Sequence, residues 1–182
     1  MKYPVYLYGN PVLRKVAEDI DKTYPELDTF IENMWDTMYY SDGVGLAAPQ
    51  IGKSVRLFVI DATPFEEDEK ALKDFKKVFI NAHIIERDGD DESFNEGCLS
   101  LPGIREDVVR KSRIRMQYQD ENFVEHDEWF EGMAARVIQH EYDHLDGIMF
   151  VDHLKPLKKK MLNSKLKAIS KGDVRTTYKV KI

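Results

Sequence analysis

The segment QHEYDHLDG, residues 139–147, contains the side chains in this sequence that are best suited to chemistry. Within it, His140, Glu141 and His144 form the pattern H-E-x-x-H. In a helix, side chains four residues apart lie on one face. Two imidazoles so placed can bind a metal ion, and the adjacent glutamate can take a proton from water. Surface histidines and hydrogen-bonded core histidines give the same pattern, so both interpretations stay open at this point.

Two histidines do not complete a metal site, and the third ligand separates the candidate classes of protein. One class of metalloproteases continues the pattern to a third histidine, but Phe150 occupies that position here. Another class uses a downstream glutamate, and no glutamate follows Glu141. The other downstream candidates lie at no recognised spacing: Asp146, Asp152 and His153. The single cysteine, Cys98, is the remaining soft ligand, and a Cys-His-His site leaves a fourth position open for water.

A loop of small residues, GVGLAAPQIG at residues 43–52, is a candidate for stabilising negative charge. Attack of water on a carbonyl group creates an oxyanion, which needs hydrogen-bond donors fixed in advance. The glycines permit close approach of the backbone, and Gln50 supplies an amide donor. The same loop is also typical of a tight turn before a strand.

Three separate segments together resemble the peptide deformylase family. They are GVGLAAPQ at residues 43–50, EGCLS at residues 96–100 and QHEYDH at residues 139–144, in the order and at the separations of that family. The similarity extends from YGNPVLR, at residues 8–14, to the C-terminal helix. Agreement of three independent segments is far more specific than H-E-x-x-H alone.

The resemblance implies the reaction and the residues that perform it. The implied ligands of one divalent metal ion are Cys98, His140 and His144. Glu141 would be the general base and acid, while the side chain of Gln50 and the backbone N–H of Leu99 would stabilise the oxyanion. Water activated by the metal would attack the formyl carbon of the N-formylmethionine that begins a nascent polypeptide, and formate would be released. The family uses iron(II) in the cell, with zinc, nickel or cobalt as substitutes.

The resemblance also implies a binding site for the substrate peptide. The residues implied for the methionine pocket are Val44, Phe94, Met133 and Val137. Gly45 would contact the peptide backbone, and Arg105 would also contact the bound peptide. Met133 and Val137 are equally typical of a packed helix face, and Arg105 of a solvated loop.

Two features depart from the family pattern. Tyr142 occupies a position where an aliphatic residue is common, so packing beneath its helix is expected to differ. Residues 61–77 are longer than in compact members and include the charged run EEDEK. We expect a surface loop or short helix there, without an assigned role.

The composition predicts a single domain, residues 1–182, with a hydrophobic core. The 182 residues are 42% hydrophobic, and the formal net charge of −6 argues against a general DNA binder. One cysteine excludes an internal disulfide bond, and no apolar run suits a secretion signal or a membrane span. These features predict a cytoplasmic protein that binds no membrane, and we expect a monomer.

The pattern of apolar residues predicts an α+β fold, with antiparallel or mixed β-sheets around a central helix that carries H-E-x-x-H, and with helices near both ends. Predicted helices cover residues 25–40, about 129–146 and 156–170. Predicted strands cover residues 55–60, 78–85, 113–118 and 123–126. A turn at residues 120–122 and a helix end before Gly147 are expected, and residues 87–97 are expected to be rich in turns.

The C-terminal helix is rich in lysine and contains no acidic residue between positions 155 and 171. Its lysines are Lys155, Lys158, Lys159, Lys160, Lys165, Lys167 and Lys171. Such a run is usually a solvated face. The resemblance implies docking on ribosomal RNA near the exit of the nascent chain.

Two other functions stay open from the residues. An H-E-x-x-H metallopeptidase would cleave internal peptide bonds, although a downstream ligand is missing. A structural zinc protein would need a fourth protein ligand, such as Asp152 or His83.

Overall fold

The computed structural model describes residues 1–182 and contains four α-helices and seven β-strands. The helices are α1 (Leu27–Tyr40), α2 (Gly132–Leu145), α3 (Pro156–Met161) and α4 (Asn163–Ser170). The strands are β1 (Val5–Tyr6), β2 (Gly45–Ala47), β3 (Leu57–Asp61), β4 (Lys76–Gly97), β5 (Arg105–Gln119), β6 (Glu125–Glu131) and β7 (Val180–Lys181). Short 3₁₀ helices lie at Pro11–Arg14, Ala48–Ile51, Thr63–Phe65, Lys70–Leu72 and Phe150–His153.

Five strands form one antiparallel sheet in the order β2-β3-β4-β5-β6. Neighbours in this sheet are also neighbours in the chain, so simple hairpin connections suffice. Strands β1 and β7 form a separate parallel pair that joins the two ends of the chain. The predicted α+β class, with antiparallel or mixed sheets around the H-E-x-x-H helix, is confirmed, and the main sheet is antiparallel.

Two apolar clusters fix the helices against the sheet. The first joins Ile138 of α2 to Phe58 and Phe79, whose rings stack with centroids 4.7 Å apart. The second joins Met34 and Met38 of α1 to buried residues of β2, β3 and β4. The spacing that predicted α1 is therefore the spacing of its buried face, and the helix carrying H-E-x-x-H lies in the core.

The turn-rich prediction for residues 87–97 is wrong, because this segment continues β4 as far as Gly97. It pairs with β5 from Arg87 opposite Ile114 to Gly97 opposite Arg105. The register shifts between Asp88 and Asp91, and Gly89 lies in this irregularity with φ +80°. The turn residues thus form a β-bulge inside a long hairpin instead of ending the strand.

Helix α2 begins at Gly132, later than predicted, because Trp129 belongs to β6 and pairs with Arg115. Its predicted end is confirmed: the last helical residue is Leu145, and Gly147 follows with φ +71°. The single helix predicted at residues 156–170 is two helices separated by Leu162. No helix combines the length and apolar character needed to span a membrane.

The loops that flank the sheet also differ in part from expectation. Residues 43–52, expected to be a loop, contain β2 and a 3₁₀ helix. The predicted turn near Asp120 is confirmed, since its carboxylate accepts the N–H groups of Asn122 and Val124 at 2.9 and 3.1 Å. The strand after it, β6, begins at Glu125 instead of residue 123.

Residues 61–77 contain two short 3₁₀ helices between β3 and β4, in agreement with the expected loop or short helix. The segment is more than a surface excursion, because Leu72 is buried in the main core. The Glu69 carboxylate also accepts the N–H of Met133 at 2.9 Å. The segment at residues 61–77 therefore caps the first turn of α2, where backbone N–H groups lack partners within the helix.

Candidate metal centre and substrate cavity

Three of the side chains singled out from the sequence converge to form a ligand cluster. One donor atom from each of Cys98, His140 and His144 lies within 4.8 Å of the other two. The Cys98 Sγ and His144 Nε2 are 3.4 Å apart, and the two imidazole rings meet edge to face with centroids 5.5 Å apart. A thiolate and two imidazoles are ligands typical of zinc and related transition-metal ions, so the donor set fits the implied metal.

Cys98 reaches this cluster because it follows directly on β4 and begins a tight turn. The N–H of Leu101 donates to the Cys98 carbonyl at 2.9 Å, which closes the turn before β5 starts. Burial raises the pKa of the Cys98 thiol, but the imidazoles of His144 and His140 lower this pKa to about 5. The thiol is therefore predisposed to ionise, as a metal ligand must.

Glu96 holds the His140 imidazole from the side opposite the cluster. Its carboxylate accepts His140 Nδ1 at 2.8 Å, which leaves Nε2 to face Cys98. The same carboxylate accepts Arg110 Nε and Arg136 Nη1, each at 2.8 Å. Burial would raise the pKa of Glu96, but hydrogen bonds from His140 and Arg110 hold this pKa far below its ordinary value. Such a carboxylate fixes the tautomer and orientation of a ligand histidine.

Glu141 lies beside the cluster with a carboxylate that the protein does not saturate. The residue is 4% exposed, and its Oε2 has no hydrogen-bond partner. A Cβ atom added to Gly45 would lie 2.6 Å from Glu141 Oε1, so only glycine leaves room for this carboxylate. Burial raises the pKa of Glu141 to about 7. A carboxyl group that titrates near neutral pH suits proton transfer in both directions.

Two hydrogen-bond donors face the same space. Gln50 is buried, and its Oε1 accepts the N–H of Ala47 at 2.9 Å, which turns Nε2 towards Cys98 Sγ at 3.5 Å. The backbone N–H of Leu99 donates to no acceptor in the protein. Both amide donors are fixed in advance, as stabilisation of an oxyanion requires, and the Leu99 N–H is also unsatisfied.

A cavity of about 700 Å³ opens in front of these groups. It is lined by every residue predicted to contact substrate: Val44, Gly45, Phe94, Arg105, Met133 and Val137. Gln50, Leu99, Cys98, His140 and Glu141 line it as well, whereas His144 lies deeper and is 1% exposed. Phe94 is 38% exposed, and Arg105 binds Asn95 through its Nε at 3.0 Å. The cavity is therefore part apolar pocket and part polar groove.

Other side chains considered as ligands lie outside the cluster and have other partners. Asp152 binds Arg14, and Asp146 accepts Arg56 Nη1 at 2.9 Å. His153 Nε2 contacts Asp143 Oδ2 at 2.7 Å, and His83 lies near Asp19 on the surface. The cluster thus contains three protein ligands, which is typical of a catalytic site and leaves the structural-zinc interpretation without a fourth ligand.

Several residues of the site were missed by sequence reasoning. Glu96 stands inside the EGCLS segment, so the general expectation of a partner for a ligand histidine could have found it. Phe65 lines the cavity from the segment at residues 61–77, and Arg136 lines it from α2. Arg175 to Tyr178 line it from the C-terminal segment, and no sequence motif indicates them.

Tyr142 is 8% exposed and packs below Arg56, with the guanidinium 5.3 Å from the ring centre.

Comparisons with known proteins agree with this site. The family model described as polypeptide deformylase matches residues 2–160. The peptide deformylase of Christiangramia forsetii is 54% identical, over 100% of this chain and 96% of its own length. The peptide deformylase structure from Legionella pneumophila has a TM-score of 0.83 at 37% identity, covering 97% of this chain and 99% of its own. That from Thermus thermophilus has a TM-score of 0.83 at 41% identity, covering 94% and 99%. The chain therefore belongs to the peptide deformylase family.

Proposed function

We propose that this deformylase uses Cys98, His140 and His144 to bind its metal ion and Glu141 to move the proton during hydrolysis. As a member of the family, the protein is a hydrolase that removes the N-formyl group from nascent polypeptides. The observation that carries the assignment of residues is the convergence of three ligand atoms within 4.8 Å, next to the unsaturated carboxylate of Glu141.

The metal ligands prepare the site for hydrolysis of an amide. A divalent ion bound there supplies a Lewis acid for the formyl oxygen and makes a water molecule more acidic. Cys98 contributes negative charge as a thiolate, and His140 is held by Glu96 in the orientation that leaves Nε2 free to bind. His144 is almost fully buried, which keeps its side of the site dry.

Glu141 acts as the general base and then as the general acid. Its carboxylate takes a proton from the attacking water and delivers it to the amine that leaves the formyl carbon. The support is its position in the cavity, its burial and its free Oε2. Since the carboxylate has no competing donor within the protein, it can accept the proton of a water molecule without first breaking another hydrogen bond.

Gln50 and Leu99 stabilise the negative charge that develops on the formyl oxygen. The Nε2 group of Gln50 and the N–H of Leu99 are donors of the kind that an oxyanion needs. Gln50 is fixed by Ala47, and the Leu99 N–H has no acceptor within the protein. Both donors line the cavity that contains Glu141.

The methionine side chain of the substrate enters the apolar part of the cavity. Its walls are Val44, Phe94, Met133 and Val137, and Phe65 from the segment at residues 61–77 adds to them. Gly45 approaches the peptide backbone, and Arg105 lies at the polar end of the groove. An unbranched thioether suits an irregular apolar pocket of this kind.

We further propose that iron(II) is the ion used in the cell. Zinc, nickel and cobalt suit the same cysteine and histidine ligands and would act as substitutes. A site that pairs iron(II) with a thiolate is expected to be sensitive to oxygen, because both partners can be oxidised. Activity should therefore decay in air in the iron form and persist in the nickel form, whereas equal half-lives would contradict the assignment.

Release of formate from a formyl-methionyl tripeptide tests the function directly. Protein purified without oxygen should hydrolyse this peptide, and it should leave the acetylated analogue intact. Casein should not be cleaved, which separates the deformylase from a metallopeptidase. Stoichiometric metal with no formate release would contradict the assigned roles.

We also propose that the lysine-rich face of α3 and α4 docks on ribosomal RNA in the cytoplasm. Lys158 pairs with Glu106 and Lys159 with Asp152, whereas the remaining lysines of this run have no ion pair. The apolar side chains of Leu157 and Met161 are 73% and 71% exposed on α3. A cluster of unpaired cations on a chain of net charge −6 favours a polyanionic partner.

The docking proposal is tested by replacing Lys160, Lys165 and Lys167 with glutamate. Sedimentation with ribosomes at low salt should fall steeply, since each lost phosphate contact weakens binding. Turnover of the formyl tripeptide should stay unchanged because these residues lie outside the cavity. Unaltered sedimentation would remove the proposal. Substitution of Lys22 and Lys53, away from the helices, provides the matched control.

A further inference from the structure

The C-terminal segment, residues 171–182, returns across the molecule after α4 and reaches the substrate cavity. It is anchored by the parallel pairing of β7 with β1: Val5 N–H donates to Lys179 O at 2.9 Å, and Leu7 N–H donates to Lys181 O at 2.8 Å. Just before β7, residues Arg175 to Tyr178 form part of the cavity wall. The match to the family model ends at residue 160, so this segment lies outside it.

Tyr178 makes the contact that links this segment to the catalytic turn. Its hydroxyl donates to the carbonyl of Leu99 at 2.8 Å, across 79 positions of sequence. Its own carbonyl accepts the Thr176 hydroxyl at 2.7 Å, which fixes the segment next to the ring. The contact therefore comes from a held tyrosine and not from a freely moving tail.

The turn at residues 98–101 carries both the Cys98 ligand and the Leu99 N–H, and it is held from several directions. Ser100 accepts the Tyr8 N–H at 2.9 Å through its carbonyl and the Gln50 amide at 3.3 Å through its hydroxyl. Tyr178 binds the carbonyl of Leu99, which lies between Cys98 and Ser100. The Leu99 N–H lies in the peptide plane before Leu99, which Leu101 holds through the Cys98 carbonyl, and the Leu99 carbonyl lies in the plane after it. By holding the second plane, Tyr178 restricts rotation about the Leu99 backbone and so supports the direction of the Leu99 N–H.

We propose that Tyr178 is a positioning residue that aligns the Leu99 N–H with the formyl oxygen. This inference rests on the proposed function, in which Leu99 is an oxyanion donor. A donor stabilises developing charge most effectively when its direction is set before the reaction, because the free energy needed to reorient it would offset the stabilisation of the transition state. The C-terminal segment thus belongs to the catalytic apparatus, although it contains no group that touches the reacting atoms.

Tyr178→Phe tests the inference, because it removes the hydroxyl and keeps the ring that lines the cavity. Loss of a whole oxyanion donor lowers kcat by about 10²–10³-fold, so a misaligned donor should lower kcat by about tenfold. KM for the formyl tripeptide should stay within about twofold, since the peptide-binding walls are intact. In the zinc-loaded protein, ¹⁵N relaxation should show a more mobile Leu99 amide.

Tyr6→Phe is the matched control, because Tyr6 lies on the paired strand β1 and its hydroxyl has no hydrogen-bond partner in the protein. This variant should match the wild type in kcat and in the mobility of Leu99. A lowered melting temperature in Tyr178→Phe with kcat and Leu99 mobility unchanged would overturn the inference, since Tyr178 would then only anchor the tail. Absence of formate release by the wild type would instead overturn the proposed function, and the inference with it.

Discussion

Glu96 and Glu141 are both buried carboxylates next to His140, and the protein surrounds them in opposite ways. Glu96 accepts hydrogen bonds from His140, Arg110 and Arg136, whereas Glu141 Oε2 accepts none. The pKa of Glu96 lies far below its ordinary value, and burial raises the pKa of Glu141 to about 7. The difference separates two tasks: a saturated carboxylate orients a ligand, and an unsaturated one is free to exchange a proton.

The same contrast extends to the two walls of the site. Behind the ligands, Asp143 accepts Arg110 Nη1 at 2.8 Å and contacts His153 Nε2 at 2.7 Å, which continues the saturated network. In front of them, the Leu99 N–H lacks an acceptor. A donor that the protein leaves unpaired on the cavity wall marks where a substrate is expected to complete the hydrogen bonding.

The largest expected effect is loss of the reactive carboxylate. Glu141→Gln should lower kcat by about 10³-fold, because the amide cannot accept a proton from water. Metal content should stay at the wild-type level, since Glu141 is not among the three clustered ligands. Formate release and metal analysis on the same preparation measure both quantities. Full activity in the variant would contradict the role of Glu141 in proton transfer.

Substitution of Glu96, in the saturated network behind the ligands, is expected to affect stability and metal affinity more than the rate of the chemical step. Glu96→Gln leaves Arg110 and Arg136 short of a buried counter-charge, so the free energy of unfolding should fall by about 3 kcal/mol. Metal affinity should fall by about 10–100-fold because His140 loses its partner. Urea denaturation and metal titration check these values. Glu86→Gln, at an exposed position of the same strand, is the control and should change neither quantity.

Gly45 connects the contrast to the backbone. Gly45→Ala places a Cβ atom 2.6 Å from Glu141 Oε1, so the carboxylate must move. A displacement near 1 Å can lower a rate by about 100-fold, and we expect a loss of that order or less in kcat. The double variant Gly45→Ala, Glu141→Asp gives the carboxylate a shorter stem. Recovery of activity there would support steric displacement, and a further loss would contradict it.

The parts of the site that are local in sequence could be predicted, and the parts that depend on distant pairing could not. The two proposed ligands on α2 were predicted from helical spacing, and the assignment of Cys98 came from the resemblance to the family. The partners of Glu96 lie on β5 and α2, so no short pattern reports them. The hydrogen bond from Tyr178 to Leu99 spans 79 positions and depends on β1 pairing with β7.

The fold shows the same division. Apolar spacing predicted α1 and the class of the sheet, because buried faces leave a periodic pattern. Residues 87–97 misled the prediction, since Gly89 and its acidic neighbours are typical of turns, but the pairing of β4 with β5 continues through them as a bulge. Residues that are typical of a turn can therefore remain within a strand when the partner strand pairs with the residues on both sides of them.

Asp152 offers the smallest test of the comparison, because it is a saturated carboxylate far from the proton chemistry. Burial raises its pKa, but hydrogen bonds from Arg14, the Met149 N–H and Lys159 lower the pKa from 3.8 to about 2. A carboxyl group with a lowered pKa stabilises the folded state above its unfolded pKa, and this stabilisation is lost as the pH falls from about 4 to 2.

The free energy of unfolding of Asp152→Asn at pH 7 should therefore be lower than that of the wild type by on the order of 2 kcal/mol. The difference in the free energy of unfolding between the variant and the wild type should become smaller as the pH falls from 4 to 2, because the wild-type carboxylate becomes protonated there. Urea midpoints at several pH values measure this difference, and Asp68→Asn, at an exposed carboxylate without an ion pair, should follow the wild type throughout. A difference in the free energy of unfolding that does not change with pH would mean that Asp152 acts through packing and not through charge, and its hydrogen bonds would then not account for its lowered pKa.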